Sequence, residues 1–556
     1  MRKFLIAVSA LALAGCVTIS DIEVEDLADE APAQAAPATL ADQLAEEHSI
    51  LELSLAMASN EVTSEALTRA MLDRIERIDR RGPRLNSVIA VNPDAITQAR
   101  ALDAERRAGR VRGSLHGVPL LIKDNIETAD RMPTTAGSLA LADNITGRDA
   151  PLVARLRAAG AVILGKTNLS EWANIRLGSS ISGWSAVGGQ VRNPYALDRS
   201  PCGSSSGSGA GVAASLAPGA VGTETDGSVV CPSAMNGLVG FKPTVGLVSR
   251  THVVPISHSQ DTPGPMGRTV EDVAVMLEVM AGSDPADPAT READARKVAY
   301  SSNLDRDALK GMRIGVLRAG DDDALKARFE AALAQLKAVG AVLVEVQQPK
   351  LEGMGDAEFQ VLLMELKSDL AAYLATTPPA VKVRSLADVI AFNKANAAAE
   401  MPFFGQDIFE KAQATGGTAD PVYKAARAKS LRLAGREGID AMLAEYNVRV
   451  IVTPTYGQPW LIDPVYGDNF KGPSASELPA IAGYPHLTVP MGLADGLPVG
   501  LSFIGTAWAD QLVINAGYAF EQAGPMRVPP QYLPTADVGP GMEPGEASLP
   551  PGPAPR

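Results

Sequence analysis

The chain has 556 residues, of which 46% are hydrophobic and 21% charged, enough apolar material for a large buried core and a globular fold. Its formal net charge is -14, and no basic block occurs that could neutralise a phosphate backbone, which excludes nucleic acid as a partner and leaves small molecules or peptides. No segment repeats at a fixed period, so solenoid and propeller architectures drop out.

Taken in chain order, the first element is an address. Arg2 and Lys3 precede an apolar run from Phe4 to Ala14, too short to span a bilayer and read as a secretory signal. It ends in Leu13-Ala14-Gly15-Cys16, which resembles a bacterial lipobox. Residues 1–15 are expected to be removed, and Cys16 to carry the acyl chains of a membrane anchor. Val17 rather than an aspartate follows the cysteine. In a Gram-negative host that implies the periplasmic face of the outer membrane. Residues 16–40, acidic and rich in Ala and Pro, read as a flexible tether.

Beyond the tether, Leu67, Met71, Ile75 and Ile78 form one apolar helical stripe after the capping candidates Thr63 and Ser64. Val118 to Ile122 predicts a buried strand ending at Lys123. Pro151 fits the first turn of a helix that stops near Gly160, and Ala161 to Leu164 predicts another buried strand. The alternation implies an α/β layer structure occupying residues 41–527. Residues 323–445 are Ala-rich and predicted to be mostly helical, and strands return at Val448 to Val452 and Leu487 to Val489. From 528 to 556, Pro and Gly dominate and a disordered tail is expected.

The chemistry centres on Ser228, in the stretch Gly222-Thr223-Glu224-Thr225-Asp226-Gly227-Ser228. A serine nucleophile needs a base, and histidine is the usual one. This chain has five: His48, His116, His252, His258 and His486. None lies near Ser228 in sequence. Gly203-Ser204-Ser205-Ser206-Gly207 satisfies the Gly-x-Ser-x-Gly pattern of a nucleophile elbow with Ser205 at its centre, but the preceding Asn193-Pro194 and Ser200-Pro201 give a loop where that motif needs a strand. His252, His258 and Asp261 lie close along the chain without matching a metal-ligand spacing. Lysine is the better base. Lys123 ends an apolar strand, where desolvation favours the neutral amine. Moving a lysine from 10.4 to near 7 takes about three pKa units, or about 4 kcal/mol.

Five motifs now appear in order: Gly117-Val118-Pro119-Leu120-Leu121-Ile122-Lys123-Asp124-Asn125, Gly165-Lys166-Thr167-Asn168-Leu169-Ser170-Glu171-Trp172, Cys202-Gly203-Ser204-Ser205-Ser206-Gly207-Ser208, the stretch around Ser228, and Gly240-Phe241-Lys242-Pro243-Thr244. Together they resemble the amidase signature family over roughly residues 45 to 525. The resemblance implies a single large α/β/α domain around a mixed twisted sheet. It implies a catalytic set of Ser228 as nucleophile, Ser204, after a cis peptide bond, as bridge, and Lys123 as base. The backbone N–H groups of Thr225, Asp226, Gly227 and Ser228 would form the oxyanion hole. No cofactor or metal is required, and no obligate protein partner is implied.

Asp226 and Val230 stand where many members have glycine and arginine, and "SHSQDTPGPMGRTV" follows Ile256. These features resemble the bacterial peptide amidase branch, which releases ammonia from C-terminal carboxamides of peptides. Aryl or fatty acyl amides are the alternative substrates, and a catalytically silent amide-binding envelope lipoprotein is the alternative from another class. Asp226 reads equally as a turn cap or a substrate contact. Cys202 and Cys231, which flank the two serines, are expected to be free, buried thiols packed as small hydrophobes, with a disulfide as the alternative.

Overall fold

A computed structural model of the chain describes residues 39–536. The signal segment, Cys16 and nearly all of the tether lie outside the described residues, as does the tail from 537 onward. The strands are β1 (Val88–Val91), β2 (Pro119–Lys123), β3 (Val162–Thr167), β4 (Trp184–Ser185), β5 (Gly189–Gln190), β6 (Gly219–Glu224), β7 (Val239–Lys242), β8 (Thr262–Gly267), β9 (Arg313–Leu317), β10 (Val342–Val346), β11 (Val450–Pro454), β12 (His486–Ala494) and β13 (Leu497–Ile504). Eleven of them form one sheet in the order β1-β3-β2-β6-β8-β7-β12-β13-β11-β9-β10, and β4 and β5 form a separate pair. The sheet is mixed. β2 runs parallel to β3 and β6, and β9 parallel to β10 and β11, while the centre from β6 to β13 is antiparallel.

β2, β3, β6, β7, β8, β11 and β13 are buried at every residue. Successive side chains point to opposite faces of a sheet, so both faces are covered by other elements. This is the α/β architecture that the motifs implied. Only the outermost strands, β1 and β10, are largely open. Among the described residues, no helix is long and apolar enough to cross a membrane.

Most predicted elements fall in place. The helix Ser64–Arg74 is capped by Thr63, whose hydroxyl accepts from Ala66 N, and its stripe buries Leu67, Met71 and Ile75. It continues to Arg81 as a wider π turn. Pro151 opens the helix Pro151–Ala158, and Gly160 leaves it at φ 89°.

Strands β8 and β10 went unpredicted, and one expectation needs correction. Residues 323–445 are mostly helical, as expected, but also contain the parallel strand β10, whose Val-Leu-Val-Glu-Val run pairs with β9, a non-local partner that local composition could not reveal. Thr262–Gly267, for which the sequence predicted no element, is the central strand β8. Its Pro263 and Pro265 are tolerated because β7 pairs only with Met266 and Gly267, leaving that side of the prolines without a ladder. Residues 528–536, expected to be disordered, run along the body: Tyr532 N donates to Pro194 O (2.9 Å), Leu197 N to Leu533 O (2.8 Å), and Ala536 is buried with Ala196 and Leu497.

The helix Ser206–Ala213 packs its glycine-rich face against backbone. A methyl group added at Gly207 would lie 2.7 Å from Asn168 N and closer still to Ser87 O, neither of which can swing aside. Gly207→Ala is therefore expected to destabilise the protein by about 3 kcal/mol, read as a lowered melting temperature and a loss of soluble protein.

Candidate active site

The site lies where strands end. Lys123 is the last residue of β2 and is fully buried. Its Nζ is 2.7 Å from Ser204 Oγ, 2.9 Å from Thr223 Oγ1 and 3.2 Å from Thr223 O. Thr223 sits on the neighbouring parallel strand β6, and Asn125 Nδ2 donates to its Oγ1 (3.0 Å). Burial pushes the Lys123 ammonium down to about 7, against the opposing pull of the Asp261 and Glu224 charges. By contrast, Lys166 on β3 is equally buried but forms an ion pair with Asp124 at 3.0 Å. The two lysines separate in role: one has a carboxylate partner, the other only hydroxyls and a carbonyl.

Ser204 follows the cis Gly203–Ser204 peptide bond and precedes the helix Ser206–Ala213. Ser205, the centre of the elbow pattern, is locked to β6: its hydroxyl donates to Thr223 O (3.1 Å) and accepts from Thr223 N (3.2 Å). It has no hydroxyl function left for chemistry.

Ser228 lies in the turn between β6 and the helix Val230–Met235. It is 7% exposed, and among the described residues its hydroxyl has no hydrogen-bond partner, neither Ser204 Oγ nor a histidine. Its carbonyl accepts from Ser205 N (3.2 Å), which ties the two serine loops together. The preceding Gly227 has φ 80°, and a side chain there would strike the Tyr456 hydroxyl and come within 3.0 Å of Ser476 Oγ. No protein acceptor among the described residues takes the N–H of Thr225, Asp226, Gly227 or Ser228. Four donors thus stand open around the nucleophile candidate.

The carboxylates near this turn were mostly missed by the sequence reading. Glu224 is fully buried, and its Oε2 accepts from Val229 N (2.7 Å) and Val230 N (3.0 Å), fixing the chain just past Ser228. Burial raises its pKa, with Lys242 opposing. Asp226 is exposed, yet the loss of hydration where protein crowds its carboxylate raises its pKa, against a hydrogen bond from Ser476. Burial pushes Glu358 up to about 8, and the Asp226 charge adds to the shift. The only local signal for Glu224 was an acid among small residues, which turn caps also produce.

The possible metal residues part company. His258 Nδ1 is 2.8 Å from Asp369, His252 lies beside Glu127, and Asp261 accepts from Thr225 Oγ1 (2.6 Å). His258 also approaches Glu365, but that carboxylate already accepts from Ser257, Ser259 and Tyr423.

The expected free thiols are a disulfide. Cys202 and Cys231 are joined at S–S 2.01 Å, with Cα atoms 6.0 Å apart. Folding brings the Ser204 and Ser228 loops together, and cysteines placed beside each serine come into bonding range. Alkylation of denatured, unreduced protein is expected to leave both unlabelled, and both should react after reduction. Closing a loop across a 29-residue separation is worth about 3.6 kcal/mol, so the Cys202→Ser, Cys231→Ser variant should melt correspondingly earlier.

The sequence profile of the amidase family matches residues 66–514. A probable amidase of Arabidopsis thaliana is 39% identical over 499 residues, covering 88% of this chain and 92% of that protein. The native peptide amidase of Stenotrophomonas maltophilia superposes with a TM-score of 0.84 at 52% identity, covering 88% of this chain and 99% of that one. A peptide amidase in complex with the competitive inhibitor chymostatin gives the same TM-score and identity, covering 87% and 99%. With its eleven-stranded mixed sheet, its ordered motifs and these relatives, the chain belongs to the amidase family and is an amide-hydrolysing enzyme.

Proposed function

We propose that the enzyme hydrolyses carboxamides by a serine–serine–lysine relay, acting on C-terminal amides of peptides. The observation that carries this reading is the buried Lys123 amine, without a hydrogen-bonded carboxylate and 2.7 Å from Ser204 Oγ. A neutral amine has two N–H bonds and one lone pair. Two donors suit Thr223 Oγ1 and O, and the lone pair is left for the Ser204 hydroxyl.

In the reaction, Lys123 Nζ takes the Ser204 proton while Ser204 Oγ takes that of Ser228. The link between the two serines closes as substrate binds, since catalytic hydrogen bonds tighten in the Michaelis complex. Ser228 Oγ attacks the amide carbon, and the carbonyl oxygen gains negative charge facing the N–H groups of residues 225–228. The relay runs backward to protonate the departing nitrogen, and the C–N bond breaks to release ammonia. Water, deprotonated through the same pair, cleaves the acyl-enzyme to a carboxylic acid and free Ser228.

The preference for peptide amides is supported by the 52% identity to peptide amidase and by the exposed Asp226 carboxylate two residues before Ser228. Asp226 acts on this reading as an acceptor for substrate N–H groups. The apolar N-terminal run and Cys16 support a reading in which the enzyme is exported and held on a lipid anchor. That setting suits extracytoplasmic peptides.

Ser228→Ala and Lys123→Met are each expected to lower ammonia release from an amidated dipeptide by at least about 10³-fold; hydrolysis at the parent rate by either would overturn the mechanism. Because the base must be uncharged, kcat/KM is expected to rise with pH through a midpoint near 7, where Lys123 loses its proton. A panel that includes anilides and long-chain amides reads the substrate class. For the anchor, the mature N-terminus is expected to carry acyl mass on Cys16 by mass spectrometry, and Cys16→Ala should move the enzyme from the membrane to the soluble fraction.

A further inference from the structure

The N–H groups of the turn can serve an oxyanion only if their peptide planes are held against rotation. The Thr225 peptide is gripped from behind by two residues outside the catalytic set. Gln260 Nε2 donates to Thr225 O at 3.3 Å and to Glu358 Oε1 at 2.8 Å. Asp261 Oδ1 accepts from the Thr225 hydroxyl at 2.6 Å, while its Oδ2 accepts from Ile256 N and Ser257 N, both at 2.9 Å. Gln260 and Asp261 are 1% and 8% exposed, and both are committed to contacts within the protein. Their position follows from the sheet: Glu224 pairs with Thr262, which places the residues just before β8 against those just after β6.

A trans peptide is planar, and its C=O and N–H point in opposite directions. Holding the Thr225 carbonyl toward Gln260 therefore aims the Asp226 N–H away from Gln260. That N–H has no protein acceptor among the described residues. We infer that Gln260 and Asp261 are positioning residues that lock the Thr225–Asp226 peptide so that the Asp226 N–H faces the developing oxyanion. The inference rests on the reading of residues 225–228 as the oxyanion site. The grip is itself anchored, because Ser257 and Ser259 donate to the buried Glu365 and His258 bonds to Asp369.

The test compares Gln260→Met, which keeps the volume and removes the donor, with Thr225→Val, which removes the hydroxyl tie to Asp261. Each is measured for kcat and KM on an amidated dipeptide, for inhibition by a peptide aldehyde, whose serine adduct carries the oxyanion, and for binding of the product peptide acid. Each variant is expected to lose about 10²-fold in kcat, with KM within about twofold and the aldehyde weakened by the same factor as kcat/KM. Product binding and melting temperature should stay near the parent's. The double variant should lose less than the product of the single losses, because both act through one peptide.

Unchanged kcat and aldehyde affinity in Gln260→Met, or a loss confined to KM, would overturn the inference. Should Gln260→Met fold poorly, Thr225→Val decides alone by the same criteria. Failure of the underlying reading looks different: the parent enzyme would then resist the aldehyde, or Ser228→Ala would retain activity.

Discussion

A lysine amine buried without a carboxylate hydrogen-bonded to it is the constraint on which the active site turns. Lys123 has no exposed surface, and the atoms within hydrogen-bond reach of its nitrogen belong to a serine and a threonine. In such surroundings the charged form loses its hydration and the neutral form is stabilised, which turns a strong surface base into one that titrates near neutrality. The cost is borne by the fold. Only a sheet covered on both faces and wide enough to keep water from the end of β2 can hold the amine there, and the seven strands buried along their whole length supply that cover.

The same sheet manages its other polar groups differently. Lys166, one strand away, keeps its charge balanced by Asp124 and contributes structure. Glu224 caps two N–H groups beyond Ser228, and Asp261 ties the loop before β8 to Thr225. Each carboxylate fixes backbone near the reacting centre, and each also bears electrostatically on Lys123. The pKa of the amine is therefore a balance between desolvation, which lowers it, and two structural acids, which raise it. A deeper burial or a lost acid would shift the pH at which Lys123 titrates.

Much of this was legible in the sequence, and the reasons are local. Strand β2 showed itself as an apolar run ending in a lysine, the helix at Ser64 by its stripe and cap, and the helix at Pro151 by proline and glycine punctuation. Lys123 and Ser204 were marked by their motifs, and the structure brings them to 2.7 Å. Ser205 was rightly set aside on its missing strand. What failed depended on partners far away in the chain. β10 was hidden in helical composition because its support comes from β9, and β8 went unpredicted because its prolines are acceptable only where β7 stops short. The cysteines were misread because their distance is set by how two serine loops meet.

The sequence by itself determined the element types with strong local period, the chemical identity of the nucleophile, bridge and base candidates, and the lack of side-chain bulk next to Ser228 at Gly227. Those follow from side-chain chemistry and short-range backbone preference, which each segment carries with it. Tertiary structure alone decided that Lys123 has no carboxylate within hydrogen-bond reach, that Cys202 meets Cys231, and that Gln260 and Asp261 hold the Thr225 peptide. Burial, bond formation between distant residues and the orientation of a peptide plane are properties of what surrounds a group in space, and no single stretch of chain contains that information.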